Sequence, residues 1–182
     1  MIKNQKSQKG FTIIEVALVL AVGALIFLVV FLAVPALQRN QRNDARKRDA
    51  SSVSEAVTSY TSNNPGVTLH NHSDDTSYAN AKGQGNFIGK YLSQLSNNTE
   101  SVKFKAFGGT SMDAAAVASA LGGNRDEQMK TIMVIGGATC MTQADNAENA
   151  GKGVKKGTNK QAAVIYVNET ANGVDAVCTT AN

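Results

Sequence analysis

Residues 11–37 read FTIIEVALVLAVGALIFLVVFLAVPAL. From position 16 to position 37 come 22 residues with no charge and no strongly polar side chain. At a helical rise of about 1.5 Å per residue they span about 33 Å, enough to cross the hydrocarbon core of a bilayer. A cleaved secretory signal would have a shorter apolar segment followed by a small-residue cut site. Here Gln38, Arg39 and Asn40 follow directly, so the run reads as a retained transmembrane helix. Pro35 lies near its far end; it removes one N–H and crowds the carbonyl four residues back, which a membrane helix tolerates as a kink. Glu15 is the odd residue, standing one position before the long apolar run with Phe11, Ile13 and Ile14 on its other side. A carboxylate near lipid is expensive unless it stays at the interface or meets a cation, so Glu15 either marks the membrane edge or has a positive partner.

Working outward, the ten residues before the run, MIKNQKSQKG, are polar and basic and contain no acid. They hold Lys3, Lys6 and Lys9, so the formal net charge of +4 falls to +1 without them. A second basic cluster, Arg39, Arg42, Arg46, Lys47 and Arg48, is diluted by Asp44 and Asp49. Beyond residue 50 the charges nearly cancel, so the overall balance argues weakly for nucleic-acid binding. Basic residues on both sides of the span also leave its orientation open by the positive-inside count. After the span the chain stays helix-compatible, with Ala50, Val53, Val57 and Tyr60 at helical spacing and Asp44–Arg48 as an i,i+4 pair. Asn63-Asn64-Pro65-Gly66 is a stop signal. A helix this long exceeds what a small globular domain can bury.

The stretch Lys9-Gly10-Phe11-Thr12-Ile13-Ile14-Glu15 resembles the processing site of type IV pilins and of the related pseudopilins of type II secretion. The resemblance implies a leader at residues 1–10, a long N-terminal helix at 11–62 with its transmembrane part at about 14–37, and a head at 63–182. It implies an α+β fold in which the helix packs on a small antiparallel β-sheet. It further implies that a prepilin peptidase cuts between Gly10 and Phe11, that Phe11 becomes N-methylated, and that Glu15 sets subunit register by meeting the freed amine of a neighbouring copy. The expected topology places the leader in the cytoplasm and the head outside, with the chain in the inner or cytoplasmic membrane before assembly and in an extracellular filament afterwards. The expected partners are other copies of the chain, the peptidase, an assembly platform protein and a motor ATPase, together with membrane lipids. Adhesion, twitching motility and DNA uptake are the roles such filaments serve.

The remainder supports this in outline. Residues 63–85 are polar and rich in Gly and Asn, and read as a long loop. His70, His72, Asp74 and Asp75 lie close together there, but without cysteines or a ligand spacing they read as a solvated loop and not as a metal site. Residues 87–95 contain apolar positions that could dock on the head as a short helix or strand. Residues 102–107, VKFKAF, alternate as a half-exposed strand with Lys103 and Lys105 outward. An Ala-rich helix is expected over 111–121, with Asp113 supporting its first turn. Strands are expected at 131–135, 162–167 and 175–179, in a sheet that packs on the stripe of Val53, Val57 and Tyr60. The glycine- and lysine-rich residues 151–160 lack the order of a phosphate loop and read as a basic hairpin loop, for which contact with DNA or an anionic surface is open but unsupported.

Cys140 and Cys178 read as a disulfide if the head is exported, and otherwise as two small unpaired hydrophobes. A bridge would stabilise by about 4 kcal/mol through loop closure. No catalytic constellation and no cofactor motif is legible, so the expectation is a structural subunit and not an enzyme. Two other readings remain: a pseudopilin or minor pilin of a secretion or competence system, and a membrane-anchored surface binding module.

Overall fold

A computed structural model describes residues 10–65, 91–92 and 95–182, and the backbone of 75–77. Lys3, Lys6, Lys9, His70, His72, Asp74 and residues 87–90 lie outside the described residues. The chain divides into two compact units, Met1–Gln38 and Arg39–Asn182.

Helix α1 (Ile13–Asn63) is a single element of 51 residues that runs on through Pro35. In the first unit its large side chains are exposed all round, with Leu18 at 63%, Phe27 at 70% and Phe31 at 77%. A surface this apolar is stable only against lipid or other protein. By length and composition this is a membrane-spanning helix. In the second unit α1 is amphipathic, burying Ala45, Arg46, Asp49, Ala50, Val53, Ala56 and Val57, which recur at three- and four-residue steps. The helix ends where expected: Asn64 donates from backbone and side chain to the Tyr60 carbonyl, both at 3.0 Å.

The second unit also holds β1 (Asp75–Ser77), β2 (Ser101–Ala106), β3 (Ser111–Met112), α2 (Ala114–Leu121), α3 (Arg125–Lys130), β4 (Thr131–Gly136), β5 (Ala138–Cys140), β6 (Val154–Lys156), β7 (Ala162–Glu169) and β8 (Val174–Ala181). Five strands form one sheet in the order β1-β2-β4-β7-β8, and three form another in the order β3-β6-β5. The sheet is mixed and not purely antiparallel, because β2 and β4 run parallel. Parallel neighbours need a crossover, and β3, α2 and α3 supply it. The first helix of that crossover is the expected Ala-rich one, with Asp113 capping it by accepting from the Ala116 amide at 2.7 Å. The second was not anticipated; Asn124 caps it by accepting from the Glu127 amide at 2.9 Å.

The five-stranded sheet carries a core on each face. Val102, Phe104, Ile132, Val134, Val164 and Tyr166 pack with Ala50, Val53, Ala56 and Val57 of α1. Met133, Ile135, Ala163, Ile165 and Val167 pack with Val117 and Leu121 of α2 and with Ala138 and Val154 of the second sheet. That double coverage is why β4 and six residues of β7 are buried without alternation. Strand β2 does alternate: Lys105 is exposed and Lys103 reaches Glu127 of α3 at 3.3 Å. Leu92 joins the α1-facing core, and Tyr60 meets Tyr91 edge-on at a centroid distance of 5.9 Å.

Two expectations are corrected. Residues 151–160 are not a hairpin loop, since 154–156 form β6, the middle strand of the second sheet, with Val154 fully buried. The alternation of Val154 with Lys155, masked in the sequence by flanking glycines and lysines, decides this. Among the described residues no ion pair joins Asp44 to Arg48, and both side chains are exposed. Such a pair contributes only a few tenths of a kcal/mol, too little to order two solvated side chains.

The disulfide is formed. Cys140 at the end of β5 bonds Cys178 in β8 with a Cα–Cα distance of 5.7 Å. Thr180 reinforces the junction by accepting from the Cys140 amide at 3.1 Å, and the Cys178 amide donates to the Gly151 carbonyl at 2.8 Å. The bridge fastens one sheet to the other along β8, the edge strand opposite β1, which also covers polar backbone there.

Candidate functional site

The first candidate region is the entry to α1. Gly10 and Phe11 lie outside any regular element, and α1 starts two residues later. Phe11 is 86% exposed. A Cβ added at Gly10 would meet nothing within 4 Å, so among the described residues no contact requires glycine there. Gly10 and Phe11 are both exposed, and among the described residues their peptide bond is accessible.

Thr12 and Glu15 make a capping box at the start of α1. The Glu15 amide donates to Thr12 Oγ1 at 3.3 Å, and the Glu15 carboxylate accepts from Thr12 Oγ1 at 3.4 Å and from the Thr12 amide at 3.5 Å. These reciprocal contacts offer partners to N–H groups that the helix itself cannot satisfy. They are long, however, and the carboxylate is exposed, so it can leave Thr12 for a stronger partner. Sequence reading treated Glu15 only as a membrane-edge or register residue; the Thr-x-x-Glu spacing was the signal for this cap. Downstream, Val16, Val19 and Leu20 line a shallow apolar groove with Phe11 and Glu15, so the lone acid borders a surface otherwise made for apolar contact.

The chain carries the prokaryotic N-terminal methylation motif, over residues 5–31. That motif is diagnostic of prepilin and type IV pilin-like proteins. No curated protein and no solved structure matches the chain significantly. The long helix packed through its second stretch on β-sheets matches the pilin-like α+β architecture. The motif and the helix that follows it are consistent with a pilin- or pseudopilin-like structural protein. One long apolar helix accords with a membrane-anchored precursor.

A second polar region, on the Arg39–Asn182 unit, is not legible in the sequence. Asp49, on the buried side of α1, accepts from the Ser96 amide at 2.9 Å, from Ser96 Oγ at 2.5 Å and from Thr99 Oγ1 at 2.6 Å. One turn earlier, Arg46 donates to the Met129 carbonyl at 3.0 Å and to Asn43 Oδ1 at 2.9 Å. Burial pushes the Arg46 guanidinium below its ordinary pKa, with Glu169 acting against that shift. Asn43 and Glu169 exchange two bonds: Asn43 Nδ2 donates to the Glu169 carbonyl at 3.0 Å, and the Glu169 amide donates to Asn43 Oδ1 at 2.8 Å. The Glu169 carboxylate is then held by Arg42 at 2.8 Å and by Arg125 of α3 at 3.1 Å. This clamp joins α1 to β7 and α3 within the second unit. From sequence Arg42 and Arg46 belong only to a basic cluster diluted by Asp44 and Asp49, because burial of a charge is set by distant partners such as Ser96 and Glu169.

Elsewhere, Lys155 and Lys152 are paired with Asp145 at 2.6 Å and Asp175 at 3.7 Å, so much of the basic charge of residues 151–160 is matched within the head. Among the described residues no cluster of three His, Cys, Asp or Glu side chains suits a metal ion. Asp75, from the sequence cluster with His70, opens β1.

Proposed function

We propose that this chain is the precursor of a structural subunit of a type IV pilus or a related filament, assembled through α1 after its leader is removed. The leader is residues 1–10, the assembly helix 11–62 and the displayed head 63–182. A prepilin peptidase cuts between Gly10 and Phe11 and the new Phe11 amine is methylated. Helices then leave lipid and pack on one another, driven by a platform protein and a motor ATPase. The N terminus lies inside before assembly and the head outside.

The observation that carries this reading is the methylation motif at residues 5–31 leading into a helix with exposed apolar side chains on all sides. The accessible Gly10–Phe11 bond and the loosely held Glu15 carboxylate support the same steps. Until cleavage, position 11 carries a peptide amide, and among the described residues Glu15 has only Thr12 as a partner. After it, the amine of a neighbouring copy offers a cation, and a charge-assisted bond in a dry interface is the stronger option. Glu15→Ala should leave membrane insertion unchanged and cut filament yield at least about tenfold, the scale of one lost charged hydrogen bond. Normal yield of filaments from that variant would remove the register role.

A further inference from the structure

The turn between β7 and β8 carries the sequence's single Asn-Gly pair, Asn172-Gly173. Among the described residues nothing requires glycine at 173. Its φ lies outside the left-handed region that Gly137 and Gly151 occupy, and a Cβ added to it would meet nothing within 4 Å. Asn172 is exposed. The Thr170 amide donates to the Gly173 carbonyl at 2.9 Å, but among the described residues neither the Asn172 side chain nor the Gly173 amide has a hydrogen-bond partner.

Other asparagines of the same unit are held or hindered. Asn43, Asn124, Asn146 and Asn149 use their side chains in hydrogen bonds to backbone groups. Asn64 precedes a proline, which has no N–H. Asn97, Asn98, Asn159 and Asn168 precede residues whose Cβ crowds the approach of the next amide nitrogen. Glycine lacks that Cβ. Among the described residues, an exposed carboxamide stands beside an unhindered and uncommitted amide nitrogen only at 172–173.

We propose that Asn172 is a site of spontaneous modification by the Gly173 amide, and that its isoaspartyl product loosens the β7–β8 turn. A bond forms between the Gly173 nitrogen and Asn172 Cγ, the Cγ–Nδ2 bond breaks, and the amide proton leaves with Nδ2 as ammonia. The five-membered imide then takes up water at either of its carbonyls, which opens it to an aspartyl or an isoaspartyl linkage. Both reacting groups sit on adjacent residues, so the attack is intramolecular and needs no other molecule to be brought in. The isoaspartyl linkage adds one atom to the main chain. The turn has no slack for it, because Glu169 lies opposite Val174 and Thr170 bonds Gly173. Through Glu169, β7 meets Asn43 and Arg42 of α1 and Arg125 of α3, so the change falls beside the clamp.

The test incubates the full chain, folded in detergent, at mildly acid and mildly alkaline pH in water enriched in heavy oxygen, followed by peptide mapping. The expected result is an acid carrying heavy oxygen in place of the amide at Asn172, formed at least about tenfold faster than at any other asparagine. Conversion should be faster at alkaline pH, because the attacking nitrogen must lose its proton. Gly173→Val, which the open space and ordinary φ accommodate, should slow conversion about tenfold by crowding the approach. The isoaspartyl fraction, separated by chromatography, should unfold at a lower denaturant concentration than the parent. Asn172→Asp adds the charge without lengthening the main chain and should unfold like the parent. Conversion that occurs only after unfolding in urea, or that is equally fast in Gly173→Val, would overturn the proposal. So would an isoaspartyl fraction with the parent's unfolding midpoint. None of these outcomes depends on membrane insertion or filament formation, so they leave the reading of the chain as a filament subunit untouched.

Discussion

Helix α1 belongs to both units of the chain and meets different surroundings in each. Over residues 13–38 adjacent positions such as Leu18, Val19 and Leu20 are all exposed, at 63–67%, so apolar surface points in every direction. Over residues 39–63 the apolar side chains are confined to one stripe, and that stripe is covered: Val53 and Val57 are fully buried against the sheet. The second stretch finds its solvent-excluding partner within the chain, and the first finds none among the described residues. A helix that is apolar all round takes its stability from what surrounds it, so the first stretch is complete only in lipid or among copies of itself.

Placing the same substitution in both stretches gives the sharpest break. Val57→Asp puts a carboxylate without a partner into the head core and should destabilise it by about 4 kcal/mol or more, seen as loss of cooperative thermal unfolding in the near-ultraviolet circular dichroism. Val29→Asp, at mid-span, should weaken membrane insertion by roughly 2.5–3.5 kcal/mol, seen by membrane fractionation, while the head of the inserted fraction melts normally. If either substitution affected the other property equally, the division of α1 into two regimes would fail. A smaller effect is expected at the junction of stalk and head. Asp49→Asn keeps the side-chain shape but turns one acceptor into a donor facing the donors of Ser96 and Thr99, and should lower stability by about 2 kcal/mol, read from the denaturant midpoint with an unchanged slope.

The smallest effect lies at Asp145, in the loop after β5. Lys155, and then the amide and hydroxyl of Thr142, hold the Asp145 carboxyl down at about 2. Its folded pKa is depressed, so its contribution is present above the ordinary value of 3.8 and fades as pH falls through about 2. A carboxyl titration followed by NMR should show its midpoint near 2, moving up toward the ordinary value in Lys155→Met; a midpoint already near 4 in the unaltered chain would contradict the pairing.

How much of this was legible in the sequence follows the same division. The span, the stripe of Ala50, Val53 and Val57 and the Asp113-capped helix follow local patterning, strands β4, β7 and β8 follow from short apolar runs, and both are local signals that a sequence displays. The cysteine pair was legible as a bridge conditional on export. The parallel pairing of β2 with β4 was not, because it depends on where a crossover lands. A hint was present in β4 and β7, whose apolar residues do not alternate and so need cover on both faces. The clamp was hidden for a different reason. Arg42, Arg46 and Asp49 look like ordinary solvated charges, and only the return of Glu169 and Ser96 to α1 turns them inward. That same return clarifies the ambiguous charge count after the span, since Arg42 and Arg46 are engaged by the head and are not simply free cations beside a membrane.

Whether the first stretch of α1 becomes a filament core depends on its leader being removed. The most direct measurement is the intact mass, with N-terminal fragment ions, of the chain recovered from sheared surface filaments. The account predicts a subunit that begins at Phe11 with a methyl group on its amine. A chain that begins at Met1, or one that is found only in the membrane fraction of cells building such filaments, would contradict it.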